Sequence, residues 1–129
     1  MIFVDTSVWI AGFRRADAPL RQHLDALLDS DAVAVPVPVR LEILGGAGPR
    51  EFVRLYRLLA ALPTFYPTSA TWESLDHWID VAVHARQQFA LGDLLIGAIA
   101  SEQRGEVWSL DADFGRLRRL GLVQLHRIP

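Results

Sequence analysis

The chain has 129 residues, 51% of them hydrophobic and none of them cysteine, which fits one packed domain over 1–129 and excludes disulfide and thiolate chemistry. Its net charge of −2 excludes the global basic field of a simple DNA-binding module, but not a nuclease with an acidic site and a local basic rim. No basic leader precedes a long apolar segment, and no apolar run reaches about 18 residues, so neither a signal peptide nor a membrane span is expected and the expected location is cytoplasmic.

Met1–Val4 reads as a buried strand that runs into Asp5, Thr6 and Ser7. Val8–Phe13 suits a short helix ending near Arg14 and Arg15. Pro19 fits the first turn of a second helix, with Leu20, Leu24, Leu27 and Leu28 on one face. "SDAVAVPVPV" is a turn and a second strand, which Pro36 and Pro38 stop before a helix over Val39–Leu44. "GGAGP" breaks that helix, and Glu51–Leu62 predicts another with Phe52, Leu55, Leu58, Leu59 and Leu62 inward. "TFYPT" offers a short third strand. Ala70–Phe89 predicts a long amphipathic helix, and "DLLIGAIA" a buried one. Val107–Leu110 is a fourth strand, Phe114–Leu120 a last helix stopped by Gly121, and Leu122–Leu125 a final strand. Strands alternating with helices predict an α/β fold around a mainly parallel sheet. In such sheets ligands bind beyond the carboxyl ends of the strands, where Asp5 and Asp111 stand.

Of fifteen acids, most occupy turns or the wet face of the long helix. Five stand in apolar surroundings: Asp5, Glu42, Asp93, Asp111 and Asp113. Asp5 has a structural alternative as a helix cap, and so has Asp93. Of Asp111 and Asp113, one is expected to face inward and the other to cap or support. Several carboxylates at one sheet edge repel each other, and a divalent cation removes that conflict. Hard oxygen donors suit Mg²⁺, with Mn²⁺ as a substitute, in preference to zinc. His77 and His84, with Asp80 between them, lack the spacing of a zinc site, and His23 and His126 read as surface or satisfied residues.

Four segments occur in order: "FVDTSVWI", "PVRLEIL", "LGDLLIGAIA" and "SLDADFGRL". With them the chain resembles a PIN-domain ribonuclease, and more narrowly a VapC-type toxin, over essentially its whole length. The resemblance implies a PIN-like three-layer sandwich, with Asp5, Glu42, Asp93 and Asp111 as catalytic metal ligands and Asp113 as a further acid whose direct ligand role varies. It implies that Thr6 and Ser7 are the polar pair after the first acid, with Ser7 helping to hold water or phosphate. Arg40 departs from the Thr or Ser of many relatives.

The activity so implied is metal-dependent endonucleolytic cleavage of RNA, leaving a 5′-phosphate and a 3′-hydroxyl, by a homodimer that a cognate antitoxin restrains. All 13 basic residues are Arg. Arg14, Arg15 and Arg116 flank the acid segments and are expected to grip RNA, with Arg50, Arg54 and Arg57 on one helix face as a further cluster. Trp9, Trp72 and Trp78 are candidates for an interface. Two rival readings are a phosphoryl-transfer domain and a silent PIN fold that only binds protein. A receiver domain would want adjacent acids and a late lysine, and a haloacid-type phosphatase would want DxD where "DTS" stands. A PIN-fold nuclease outside the toxin group is the remaining alternative.

Overall fold

A computed structural model describes residues 1–129. In chain order the elements are β1 (Ile2–Val4), α1 (Thr6–Arg14), α2 (Ala18–Asp29), β2 (Val33–Pro36), α3 (Val37–Gly45) and α4 (Pro49–Ala60). They continue with β3 (Thr64–Phe65), α5 (Ser69–His84), α6 (Leu91–Glu102), β4 (Glu106–Trp108), α7 (Ala112–Arg119) and β5 (Gln124–Leu125). All five strands are parallel and lie in the order β3-β2-β1-β4-β5, flanked by the helices. The α/β class and the parallel sheet expected from the strand–helix alternation are therefore observed.

The strand order places the site. From β1 the chain proceeds toward β2, and from β4 toward β5, so the connections leave in opposite directions. That reversal opens a crevice beyond the carboxyl ends of β1 and β4. Register pairs Val4 with Trp108, so the residues that follow them emerge side by side.

Ile2, Phe3 and Val4 are buried on both faces, as are all four residues of β2, which explains why these strands read as continuous apolar runs. α6 is buried over Ile96–Ala100 and packs against α5 at Gly97. A Cβ there would meet the Trp78 and Val123 side chains at 3.0 Å, so any larger residue would have to push them back by a few tenths of an ångström.

Several expectations shift. α1 begins at Thr6, because Asp5 already takes the N-cap position. α5 stops at His84, and Arg86 turns left-handed (φ 58°), so Gln87–Ala90 form a separate strap into α6. α4 buries only Leu55 and Leu59, whereas Phe52 and Leu58 are exposed. The apolar spacing of α4 therefore continues onto a side that stays exposed to solvent. Trp9 and Trp78 belong to the core and cannot form an interface, while Trp72 is 50% exposed. His23 and His126 satisfy each other. Their Nε2 atoms lie 2.7 Å apart, and His126 Nδ1 lies 3.1 Å from Glu106 Oε1. Burial, then the neighbouring His126, lowers the His23 pKa.

Candidate metal centre

Asp5 leaves β1 with extended backbone (φ −74°, ψ 157°) and sits at the N-cap of α1, yet its side chain caps nothing. Instead Oδ2 accepts hydrogen bonds from Ser7 Oγ at 2.8 Å and Ser109 Oγ at 2.7 Å. Ser7 Oγ in turn accepts from the Leu110 amide, and Ser109 Oγ from the Asp111 amide, each at 3.0 Å. The Asp5 amide donates to the Trp108 carbonyl at 2.9 Å. The end of β1 is thus laced to the end of β4, and a carboxylate only 6% exposed is held in one orientation. Ser7 commits its proton to Asp5 and so supports that acid. Ser109 escaped the sequence reading. Its only signal was a hydroxyl two positions before the first acid of the DxD in "SLDADFG".

Asp93, Asp111 and Asp113 bring one carboxylate oxygen each within 4.8 Å of one another. They arrive from two helices. Asp93 stands in the first turn of α6, whose N-cap is Ala90, so the capping role considered for Asp93 is not the one it plays. Asp111 is the N-cap of α7, and its Oδ1 accepts from the Asp113 amide at 2.9 Å. The expected division of one inward acid and one cap is not what the structure shows: Asp111 caps α7, and both acids bring an oxygen toward Asp93. Two full charges 4.8 Å apart repel by about 3 kcal/mol at an effective dielectric near 20. Burial, then Asp111, Asp5, Asp113 and Glu42, pushes the Asp93 pKa up to about 6.

Glu42 lies on α3, and its pKa is raised by burial and, less, by Asp5, while Thr6 opposes the shift. Thr6 Oγ1 is buried without a hydrogen-bond partner at normal geometry, so its influence on Glu42 is that of a nearby dipole. Glu42 and Asp5 stand outside the 4.8 Å trio, but both charges act on Asp93.

The donor set fits a hard divalent cation. Hydrogen bonds engage Oδ2 of Asp5, Oδ1 of Asp111 and Oδ1 of Asp113, leaving the other oxygen of each acid free. Asp93 accepts none. Acids gathered against their mutual repulsion, each with a free oxygen and with an orphaned hydroxyl beside them, form the environment such a cation completes.

The arginines divide. Arg14 and Arg15 are exposed at the end of α1, and Arg54 pairs with Glu51 on the surface of α4. Arg116 is engaged inside the molecule, with Asp113, Gln87 and Gln88.

The chain is similar in sequence and in fold to known proteins. The chain is 28% identical to Ribonuclease VapC11 of Mycobacterium tuberculosis and to a VapC ribonuclease of Mycobacterium bovis, over 96% of each chain. Its fold matches VapBC2 of Rickettsia felis with a TM-score of 0.80, at 15% identity and 98% coverage of both chains. It also matches VapC20 of Mycobacterium tuberculosis with a TM-score of 0.69, at 22% identity and covering 98% of this chain and all of the other. The sequence pattern of the PIN domain spans residues 2–120, and the chain belongs to the PIN domain family.

Proposed function

We propose that this chain is a metal-dependent endoribonuclease, the toxin of a toxin–antitoxin pair, which hydrolyses RNA phosphodiester bonds at the carboxylate cluster. The observation that carries the reading is the trio Asp93, Asp111 and Asp113 within 4.8 Å, set beside the buried Asp5 in a PIN domain. The relatives named as VapC ribonucleases support the same activity.

Asp5, Asp93 and Asp111 would hold Mg²⁺, or Mn²⁺ in its place, with Glu42 completing the site and Asp113 alongside. When bound, the cation supplies Lewis-acid neutralisation of the phosphate and makes water acidic enough to attack near neutral pH. The chain's own residues supply orientation. Ser7 and Ser109 fix Asp5 through Oδ2, and the Asp113 amide fixes Asp111 through Oδ1. Asp93 keeps its proton up to about pH 6, so cation binding must displace that proton at lower pH. No side chain is needed as a covalent nucleophile. Arg14 and Arg15, exposed and free of ion pairs, are the RNA contacts retained from the sequence reading.

The partner reading follows from the surface. A groove lined by Ile10, Phe13, Ile43 and Leu55 includes Glu42 in its wall, and an apolar antitoxin helix laid there would bring a cationic side chain close to that acid. Along α5, Trp72, Ile79 and Val83 form one exposed stripe, which suits the two-fold contact of a homodimer. No helix is long and apolar enough to cross a membrane, and a cytoplasmic location belongs to the same proposal.

The test is cleavage of a single-stranded RNA by the purified chain with Mg²⁺ or Mn²⁺. Chelation and Asp93→Asn should each abolish it. A folded chain inert with every divalent cation would leave a silent PIN-fold binding module. Light scattering and co-purification with the product of the adjacent gene test the dimer and the antitoxin. A monomer without such a partner, yet active, would place the nuclease outside the toxin group.

A further inference from the structure

We infer that Arg116 is a positioning residue for the metal site and not an RNA contact. Its guanidinium ties α7 to the strap that leads into α6, and so holds the acids of two helices together. The inference rests on the proposed function only for the identity of the site.

Arginine carries five N–H donors. Here Nε and Nη2 both reach Asp113 Oδ1, at 3.3 and 2.8 Å. The second Nη2 hydrogen goes to the Gln88 carbonyl at 3.1 Å, and Nη1 donates to Gln87 Oε1 at 3.3 Å. Four of the five donors are therefore used, and one face of the plane lies over the Phe89 ring, 4.2 Å from Cζ to the centroid. A bidentate grip on a phosphate needs two parallel donors, which this arginine does not have to give.

The geometry serves the cluster in two ways. Arg116 takes Oδ1 of Asp113 and leaves Oδ2 free, which fixes the carboxylate without occupying it. It also pins Gln87, Gln88 and Phe89, which stand just before α6 and its Asp93. Asp93 and the Asp111–Asp113 pair come from different helices and repel one another, so a cationic tie between α7 and the α6 entry opposes their separation. Lysine could keep the charge, but neither the fork nor the flat face.

The experiment compares the wild-type chain with Arg116→Ala, Arg116→Lys and Phe89→Ala. Mn²⁺ binding is measured by titration calorimetry without RNA. Binding of a single-stranded RNA is measured in chelator across a range of salt. Hydrogen exchange is followed over residues 87–92. Arg116→Ala should weaken Mn²⁺ binding about 10–100-fold, as loss of an outer support does. It should speed exchange in the strap while leaving chelated RNA affinity and its salt slope unchanged. Arg116→Lys should recover only part of the Mn²⁺ affinity, and Phe89→Ala, which touches no acid, should weaken it in the same direction. Should Arg116→Ala fail to fold, the other two variants carry the comparison. Unchanged Mn²⁺ affinity in the folded variants would overturn the inference. So would weaker RNA binding in chelator with the salt slope reduced by about one, the mark of a lost phosphate contact. If the wild-type chain binds Mn²⁺ but cleaves no RNA, the functional reading fails while the role of Arg116 is still decided.

Discussion

Asp5 and Asp93 belong to one cluster and are prepared in opposite ways. Asp5 is the more buried, yet two hydroxyls donate to it. Asp93 is less buried, accepts no hydrogen bond, faces four other acids and holds its proton to about pH 6. At the β1–β4 end the fold supplies the donors that a charge requires. At the α6–α7 rim it supplies none and leaves the charge uncompensated for a cation to satisfy. Burial alone therefore does not identify the destabilising carboxylate. Its hydrogen-bond partners do.

The largest expected effect is shared by both regions. Asp5→Asn and Asp93→Asn should each reduce RNA cleavage by at least about 100-fold, the upper end of what outer-shell changes cost in metal sites. Stability should then separate them. Relief of repulsion alone would raise the melting temperature of both metal-free variants. The serine hydrogen bonds reverse the sign for Asp5, where losing charge-assisted bonds should cost about 1–3 kcal/mol and lower the melting temperature. Asp93→Asn should raise it by about 4 °C near neutral pH, for roughly 1 kcal/mol after solvent screening. Thermal melts in chelator check this, and shifts of the same sign would break the comparison.

A pH series sharpens it. The folded pKa of Asp93, about 6, lies above its ordinary 3.8, so its contribution to stability is fully present below 3.8 and is lost as pH rises through about 6. The advantage of Asp93→Asn over the wild-type chain should accordingly vanish by about pH 4. Melts of the two proteins at matched pH read it directly. Glu42, also raised, should follow the same direction.

Ser109→Ala tests the support of Asp5 more gently. It should cost about 1 kcal/mol in stability and weaken Mn²⁺ binding 10–100-fold, read by melting and calorimetry. The smallest effect concerns the histidine pair. Because the His23 pKa is lowered, its contribution is present above the ordinary 6.5 and is lost as pH falls, opposite in sign to Asp93. His23→Gln should flatten the acid-side decline in melting temperature and expose the Asp93 titration more cleanly.

Much of this was legible in the chain itself. Strand and helix alternation, the Pro and Gly breaks and the five acids in apolar surroundings are local signals, and they led to the parallel sheet and to the acid cluster. The errors are long-range. Phe52 and Leu58 have helical apolar spacing, yet the packing of α4 leaves both exposed. For Trp9 and Trp78 the sequence left core and interface both open, because it cannot say which aromatic side chains the core absorbs; the fold takes both into the core.

By itself the sequence determined the elements, their order and the chemical character of the site, because periodicity, turn residues and side-chain type act within a few positions. Only the tertiary structure decided how the acids are held. Ser109 reaches Asp5 across 104 positions, and Arg116 reaches the strap at Gln87 and Gln88 across 29 and 28. Those contacts exist because β4 pairs beside β1 and α7 lies against the entry to α6, and neither juxtaposition leaves a periodic trace in the chain.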